Sequence, residues 1–378
     1  MNKKKILLAV TVTSMLAAGA VLAINGGLKS SSVFATDDEV WHHYAAVAPT
    51  ETNHGSKEFW ASSANGCATH TFTDPGVKCI DHDFSTYDSF ATLTCDDDRY
   101  VPSGNESLGI TPMFSTKNKT VTYGLYPQTN VDDSSLISAL NELTTPEANG
   151  WYLYNGEYYA KLSAAPYKTN YAFDNGTTIE EGITYWFKCE PITWNVLSNN
   201  NGEYYILSSV LLDAHCYDAS KNEEEIGGVT ILPNNYEHSD IRAWLNSDFY
   251  NSAFALHNSY IQTAFVDNSA STTDSSDNQY VCGDTQDNVF LPSYQDYNNS
   301  SYGFSNPDSR CCKTTDWARA IGAYGNRYSS YNGYYWTRSP YSHNRNGAKY
   351  IGSDGSTPYE YTFYTYFSVR PAISFKIA

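Results

Sequence analysis

Of the 378 residues, 33 are tyrosine, and they are densest from Ala323 to Phe375, where 11 of them fall. That crowding limits how this part of the chain can fold. A buried core is built from Leu, Val and Ile, which leave no hydroxyl to satisfy, whereas every buried phenol needs a hydrogen-bond partner. So many tyrosines cannot all be interior, and many must face solvent. Tyr offers a large amphipathic contact area at low rotamer cost, and the Ser, Asn and Gly between the tyrosines offer adaptable hydrogen bonds. This is the chemistry of a recognition surface. The candidate ligand-binding residues are Tyr324, Tyr328, Tyr331, Tyr334, Tyr335, Tyr341, Asn344, Tyr359, Tyr361 and Tyr364. The plainer alternative is a tyrosine-rich composition that carries no site.

The N-terminus speaks to location. Lys3, Lys4 and Lys5 precede an uncharged run from Ile6 to Ile24, and Val33-Phe34-Ala35 reads as a small-residue cleavage site. Residues 1–35 are therefore expected to be a secretory signal peptide, with an uncleaved anchor as the alternative. Removing them takes away four lysines and no acid, lowering the net charge from −18 to −22. Such acidity argues against nucleic acid and anionic membrane surfaces, since both attract basic faces. The expected partner is an extracellular protein or glycan.

The remaining chain reads as two parts. Residues 36–118 form a small β-rich module with its linker, and residues 119–378 a larger α+β domain of short helices, small antiparallel sheets and long loops. In the module, Cys67-Ala68-Thr69-His70 and Cys79-Ile80-Asp81-His82 are two Cys-x-x-His pairs. Cys67, His70, Cys79 and His82 could surround a structural zinc. In an oxidising compartment a Cys67–Cys79 disulfide with both histidines exposed is the favoured alternative. Otherwise no cofactor is expected. The eight cysteines also include Cys95, Cys189, Cys216, Cys282, Cys311 and Cys312, and disulfides are the default. The adjacent Cys311 and Cys312 are expected to find separate partners or to stay reduced.

In the larger part, Thr120 to Gln128 reads as a first strand ending at Pro127. Ser134 to Leu143 reads as a helix capped by Ser134 or Ser135, with Leu136, Ile137, Leu140 and Leu143 on one face. Asn155-Gly156 marks a hairpin. Ile183 to Leu197 and Tyr204 to Leu212 read as strands. Ser239 caps the best helix, which runs to Phe254 with Ile241, Trp244, Leu245 and Phe249 in one stripe. Ala264 to Tyr280 reads as a loop, Asn288 to Pro292 as a short strand, and Thr315 to Ala320 as the start of a helix.

Six landmarks in this order carry a resemblance. They are Val121 to Gln128, Pro191-Ile192-Thr193-Trp194-Asn195-Val196-Leu197, Ser239 to Asn246, Phe290-Leu291-Pro292-Ser293, Tyr335-Trp336-Thr337-Arg338-Ser339-Pro340 and Ser368-Val369-Arg370-Pro371-Ala372. Together they resemble the domain of unknown function 6273 family, which occurs in secreted and surface proteins of gut Firmicutes. That family is distantly similar to the C-type-lectin-like fold, shared with formylglycine-generating enzymes and with the variable proteins of diversity-generating retroelements. The resemblance implies that Val121 to Tyr126 pairs with Ala372 to Lys376. It also implies that Arg338 and Arg370 are buried framework, and that long loops carry a ligand surface, which could be diversified. The implied function is recognition without catalysis. The alternatives are an enzyme of the formylglycine-generating type, a surface hydrolase, or a structural cell-envelope component. Cys311-Cys312 does not match that enzyme's spaced cysteine pair, and Glu190-Pro191 lacks the Asn of a calcium-dependent sugar-binding loop.

Overall fold

The computed structural model describes residues 119–376 apart from 148 and 201, together with 108–110, 112–115 and the backbone of four two-residue strands before them. The chain divides into two compact units, Met1–Tyr123 with Ile377–Ala378, and Gly124–Lys376. In the first, His70–Thr71 pairs antiparallel with Lys78–Cys79, and Met113–Ser115 pairs with the residues from Thr120 to Thr122. The side chains of Cys67, His70, Cys79 and His82 lie outside the described residues, as does the expected leader.

The second unit is α+β, made mostly of small antiparallel sheets with few short helices. Its larger sheet is ordered Thr120–Asn130, Thr184–Asn200, Glu203–Ser208, Ala372–Lys376, Ile261–Gln262, with Glu157–Ser163 and Tyr152–Tyr154 added beside Thr184–Asn200. The hairpin turn of the last two is Asn155-Gly156, both at positive φ, as a two-residue turn between twisted strands requires. A second sheet runs Asp213–Ala214, Ser368–Val369, Tyr335–Pro340, Gly347–Ile351, Tyr359–Tyr361, with one parallel pair, Tyr335 beside Ser368.

The implied pairing of Val121 to Tyr126 with Ala372 to Lys376 is not found. Ala372–Lys376 is instead paired over five residues with Glu203–Ser208, and Thr184–Asn200 intervenes between that pair and the first strand. The 17-residue strand Thr184–Asn200 turns straight back into Glu203–Ser208, so the hairpin takes the position that the resemblance gave to the first strand. That first strand also runs past Pro127 to Asn130. Proline lacks only a donor, and Met113–Ser115 pairs with no residue of this strand beyond Thr122, so that partner asks for no donor at Pro127.

Helices begin where capping chemistry places them. Ser239 accepts from Arg242 N, and Thr315 accepts from Ala318 N ahead of Asp316–Ile321. The helix Ser134–Asn141 is capped by Asp133, not by either serine, because the carboxylate one residue earlier takes both Ser135 N and Leu136 N. Leu140 is its buried residue, with Leu136, Ile137 and Leu143 packed around the same cluster. The stripe Ile241, Leu245, Phe249 and Ala253 is buried at a constant spacing of four. At 3.6 residues per turn such a stripe drifts by about 40° per step. One π turn, Leu245–Phe249, widens the helix and takes back part of that drift.

The segment read as a loop after Ala264 contains the strand Ala264–Val266, paired with Thr285–Asp287, and a 3-10 turn at Ala270–Thr272. Phe290, expected in a strand, forms an isolated bridge to Ala372.

Gly124 sits at φ +74°, and a Cβ there would lie 2.5 Å from Phe254 Cε1 and 3.1 Å from the Ala253 carbonyl. Gly124→Ala is expected to cost about 1–3 kcal/mol through overpacking. A urea midpoint equal to that of the wild type would refute this.

Candidate functional site

The sequence candidates separate into a buried framework and an exposed face, and strand alternation decides which is which. Tyr334 and Trp336 share one side of the strand Tyr335–Pro340; Tyr335 points the other way. Tyr335 is fully buried, its hydroxyl donates to Arg310 O and accepts from Arg370 Nη1, and its ring meets Tyr297. It is framework, a correction to its place among the surface candidates. Tyr331 is half-buried. It lies 4.4 Å from the Arg319 guanidinium, packs on Tyr171, and accepts from Ala172 N. Its φ of 60° is unusual for a bulky residue, and these three contacts hold it there.

On the other side of the strand Trp336 is the floor. Phe367 stacks on it at 4.0 Å, and Tyr334, Tyr350 and Tyr366 surround Phe367 at 5.9, 4.8 and 4.8 Å. Tyr324 stacks on Tyr334 at 4.0 Å and 14°. Tyr167 then closes a ring, 5.4 Å from Tyr324 and 5.1 Å from Tyr366. From Tyr366 the rings continue outward through Tyr364, Phe363 and Tyr361 at 5.2, 4.8 and 5.7 Å. Tyr167 and Tyr361 are exposed, and Tyr324, Tyr334, Phe363, Tyr364 and Tyr366 are half-buried.

Backbone hydrogen bonds hold the segment in place. Thr362 O accepts from Tyr217 N and Asp218 N, Tyr366 O from Tyr324 N, Phe367 O from His215 N, and Tyr334 O from Ser368 N.

A smaller patch lies at the neighbouring edge strand. Tyr341 stacks on Tyr359 at 4.0 Å and 12°, His343 lies beside Tyr341, and the buried Lys349 ammonium sits between the Tyr341 and Tyr294 rings at 5.1 and 5.2 Å. Tyr359 and Tyr361 alternate with Glu360 and share a side of Tyr359–Tyr361, which joins the patch to the larger face. Asn344 turns the connecting loop, its side chain accepting from Asn346 N. Tyr328 stands apart, 90% exposed beside Arg327.

Three phenols of the face, Tyr334, Tyr350 and Tyr366, are held neutral by their surroundings. Burial pushes Tyr350 up to about 12, and burial, ahead of neighbouring hydroxyls and Glu360, pushes Tyr334 and Tyr366 well above the usual phenol range. Charge at the face comes from Glu360 and from Lys221, whose ammonium is 4.8 Å from the Phe363 ring.

Among the described residues, burial holds all five thiols above the usual thiol range, away from the thiolate form. Cys189, Cys216, Cys282, Cys311 and Cys312 are all free, so the expected disulfides do not form among them. Cys311 donates to Ser353 O and Cys312 to Ser209 O, in different directions. Burial raises both, and burial with Asp240 and Asp218 raises Cys216 to about 11. Among the described residues no group of His, Cys, Asp or Glu could hold a metal, and no helix is long and apolar enough to cross a membrane.

Arg338 and Arg370 are buried framework. Arg338 donates to Leu291 O, Asp267 O and Asp296, and Arg370 to Ser208 O and the Tyr335 hydroxyl. These bonds tie three of the sequence landmarks, Phe290 to Ser293, Tyr335 to Pro340 and Ser368 to Ala372, to one another.

Tyr167 was not legible as a site residue. It reaches the face because the loop from Ala164 to Ile183 packs Phe173 and Ile179 into the core beside Ala320, with Ala165 N bonded to Ala320 O.

Comparison with curated proteins gives no match, and comparison with solved structures gives none. Residues 201–377, which open and close on the paired strands Glu203–Ser208 and Ala372–Lys376, match the model of a family described as a domain of unknown function (DUF6273), and the match supports assigning this part of the chain to that family.

Proposed function

We propose that this chain is a secreted or surface-displayed recognition protein that binds an extracellular protein or glycan on its aromatic face, without catalysis. The observation that carries the reading is the continuous run of exposed and half-buried rings from Tyr361 to Tyr167. Packing that leaves so many rings open to solvent gives up burial. It also offers flat surfaces suited to sugar rings, prolines or other aromatics, with hydroxyls at their rims.

A C-type-lectin-like arrangement is part of the same proposal. Its support is the pairing of Glu203–Ser208 with Ala372–Lys376, which open and close the matched region, with the ligand face, Tyr167 apart, on the long segments between them. The lysine-rich, apolar N-terminus and the acidic composition support export.

The test is binding of the purified chain to glycan and surface-protein arrays, alongside Tyr361→Ala, Tyr364→Ala and the double variant. Each single change is expected to weaken binding about tenfold, as loss of an interface anchor does, while the thermal melt moves by only a few degrees. The isolated Tyr328→Ala is expected to bind as wild type. Binding unchanged in the double variant would sink the assignment, and so would a collapse of its melt.

A further inference from the structure

A cleft of about 560 Å³ opens beside the best helix, with no residue of the aromatic face in its lining. It is lined by Asp248 from the π turn, by Tyr250, Asn251 and Phe254 from the turn after it, and by Asn258 and Asn149 from two loops. The π turn is closed by Tyr250 N donating to Leu245 O, and single π turns inside helices recur at functional sites. Among the described residues the side chains of Asp248, Asn251 and Asn258 have no hydrogen-bond or ion-pair partner. Asn149 uses its carbonyl on Trp151 N and keeps its amide donors. The half-buried Tyr250 ring gives the cleft its aromatic wall, backed by the buried Phe254 at a centroid distance of 5.8 Å.

We propose that this cleft is a second binding site, for a neutral saccharide of one or two rings. Its volume lies within the range of small-ligand pockets, roughly 300–1,000 Å³. One carboxylate and three amides supply acceptors and donors side by side, the arrangement that neighbouring sugar hydroxyls match. An apolar ligand would strip water from those groups and leave them unpaired. An anionic ligand would meet Asp248, with no basic residue in the lining to offset it. The Tyr250 ring suits the C–H face of a pyranose.

The test is saturation-transfer NMR with titration on the full chain, using glucose, galactose, mannose and N-acetylglucosamine as probes and glucuronate as the anionic comparison. At least one neutral sugar is expected to bind with a dissociation constant on the order of millimolar. Asp248→Ala should weaken it about tenfold, the size of one charge-assisted hydrogen bond pair, and Asn251→Ala by less. Glucuronate should bind only once Asp248→Asn removes the charge. Both positions are exposed, so the variants should melt as wild type. Sugar signal that falls in Asp248→Ala and persists in Tyr361→Ala belongs to this site and separates it from the proposed recognition face. Failure of every neutral probe would overturn the proposal. So would equal binding by Asp248→Ala, or a signal lost in Tyr361→Ala and kept in Asp248→Ala.

Discussion

Arg319→Ala is expected to lower the stability of the Gly124–Lys376 unit by about 3–5 kcal/mol, the cost of stranding a buried charge. Arg319 is fully buried and shared by two carboxylates, Asp174 at 2.6 Å and Asp316, while its Nη1 donates to Thr314 O at 2.7 Å and its plane faces the Tyr331 ring. Asp316 is also buried. Its oxygens accept from Asn130 N and Asp174 N, so it joins the first strand, the loop from Ala164 to Ile183 and its own helix. Without the guanidinium this carboxylate keeps two backbone donors and loses its counter-charge. Burial already raises the Asp316 pKa, and losing Arg319 would raise it further.

The sign of the pH dependence follows. A group whose folded pKa is raised contributes stability that is present below its unfolded value and lost as pH rises through the folded one. The deficit of Arg319→Ala against wild type should therefore be largest at neutral pH and shrink as the pH falls into the ordinary carboxylate range. Urea midpoints at several pH values would check it. A deficit below about 1 kcal/mol, or one that grows with acid, would contradict this account of the site. Because the same helix and loop carry Tyr167 and Tyr324 to the face, ligand binding should fall in step.

Local chemistry was legible in the sequence, and distant geometry was not. Ser239, Thr315 and the Asn155-Gly156 turn act on groups within a few residues, so their roles could be read directly. The Asp133 cap shows the limit even there, since three candidate caps adjoin one another and only geometry chooses. The division between Tyr334 and Tyr335 was hidden for a different reason. All six residues of Tyr335–Pro340 are buried, so no hydrophobic alternation marks which side faces the aromatic face, and an irregular register between Trp336 and Pro340 removes the remaining phase information. Tyr167 lies more than 150 residues from its neighbours Tyr324 and Tyr366, and nothing local announces their meeting. The same holds for the cleft, where Asn149 and Asp248 come together only in the fold.

Trp336→Ala is expected to be the other large loss, about 3–5 kcal/mol for truncating a buried tryptophan. In a unit of this size that corresponds to a fall in melting temperature of about 6–20 °C. The indole is fully buried and donates to His215 O at 3.1 Å, while Tyr217 and Tyr350 meet its ring at 5.7 and 6.2 Å. Its larger role is as the bed of Phe367, on which Tyr334, Tyr350 and Tyr366 converge. Removing it should leave a cavity beneath the face, so binding should weaken even well below the new melting temperature. Trp336→Phe keeps a ring under Phe367 and gives up the indole donor, so it should lose less stability and retain most binding. Two outcomes would break the link between framework and face. One is an unchanged melt in Trp336→Ala, which would mean the indole is not the floor. The other is a lowered melt with wild-type affinity, which would mean that the order of the rings does not matter to the ligand. The contrast with Tyr361→Ala, expected to lose binding at nearly constant stability, tells a residue that contacts ligand from one that holds others in place.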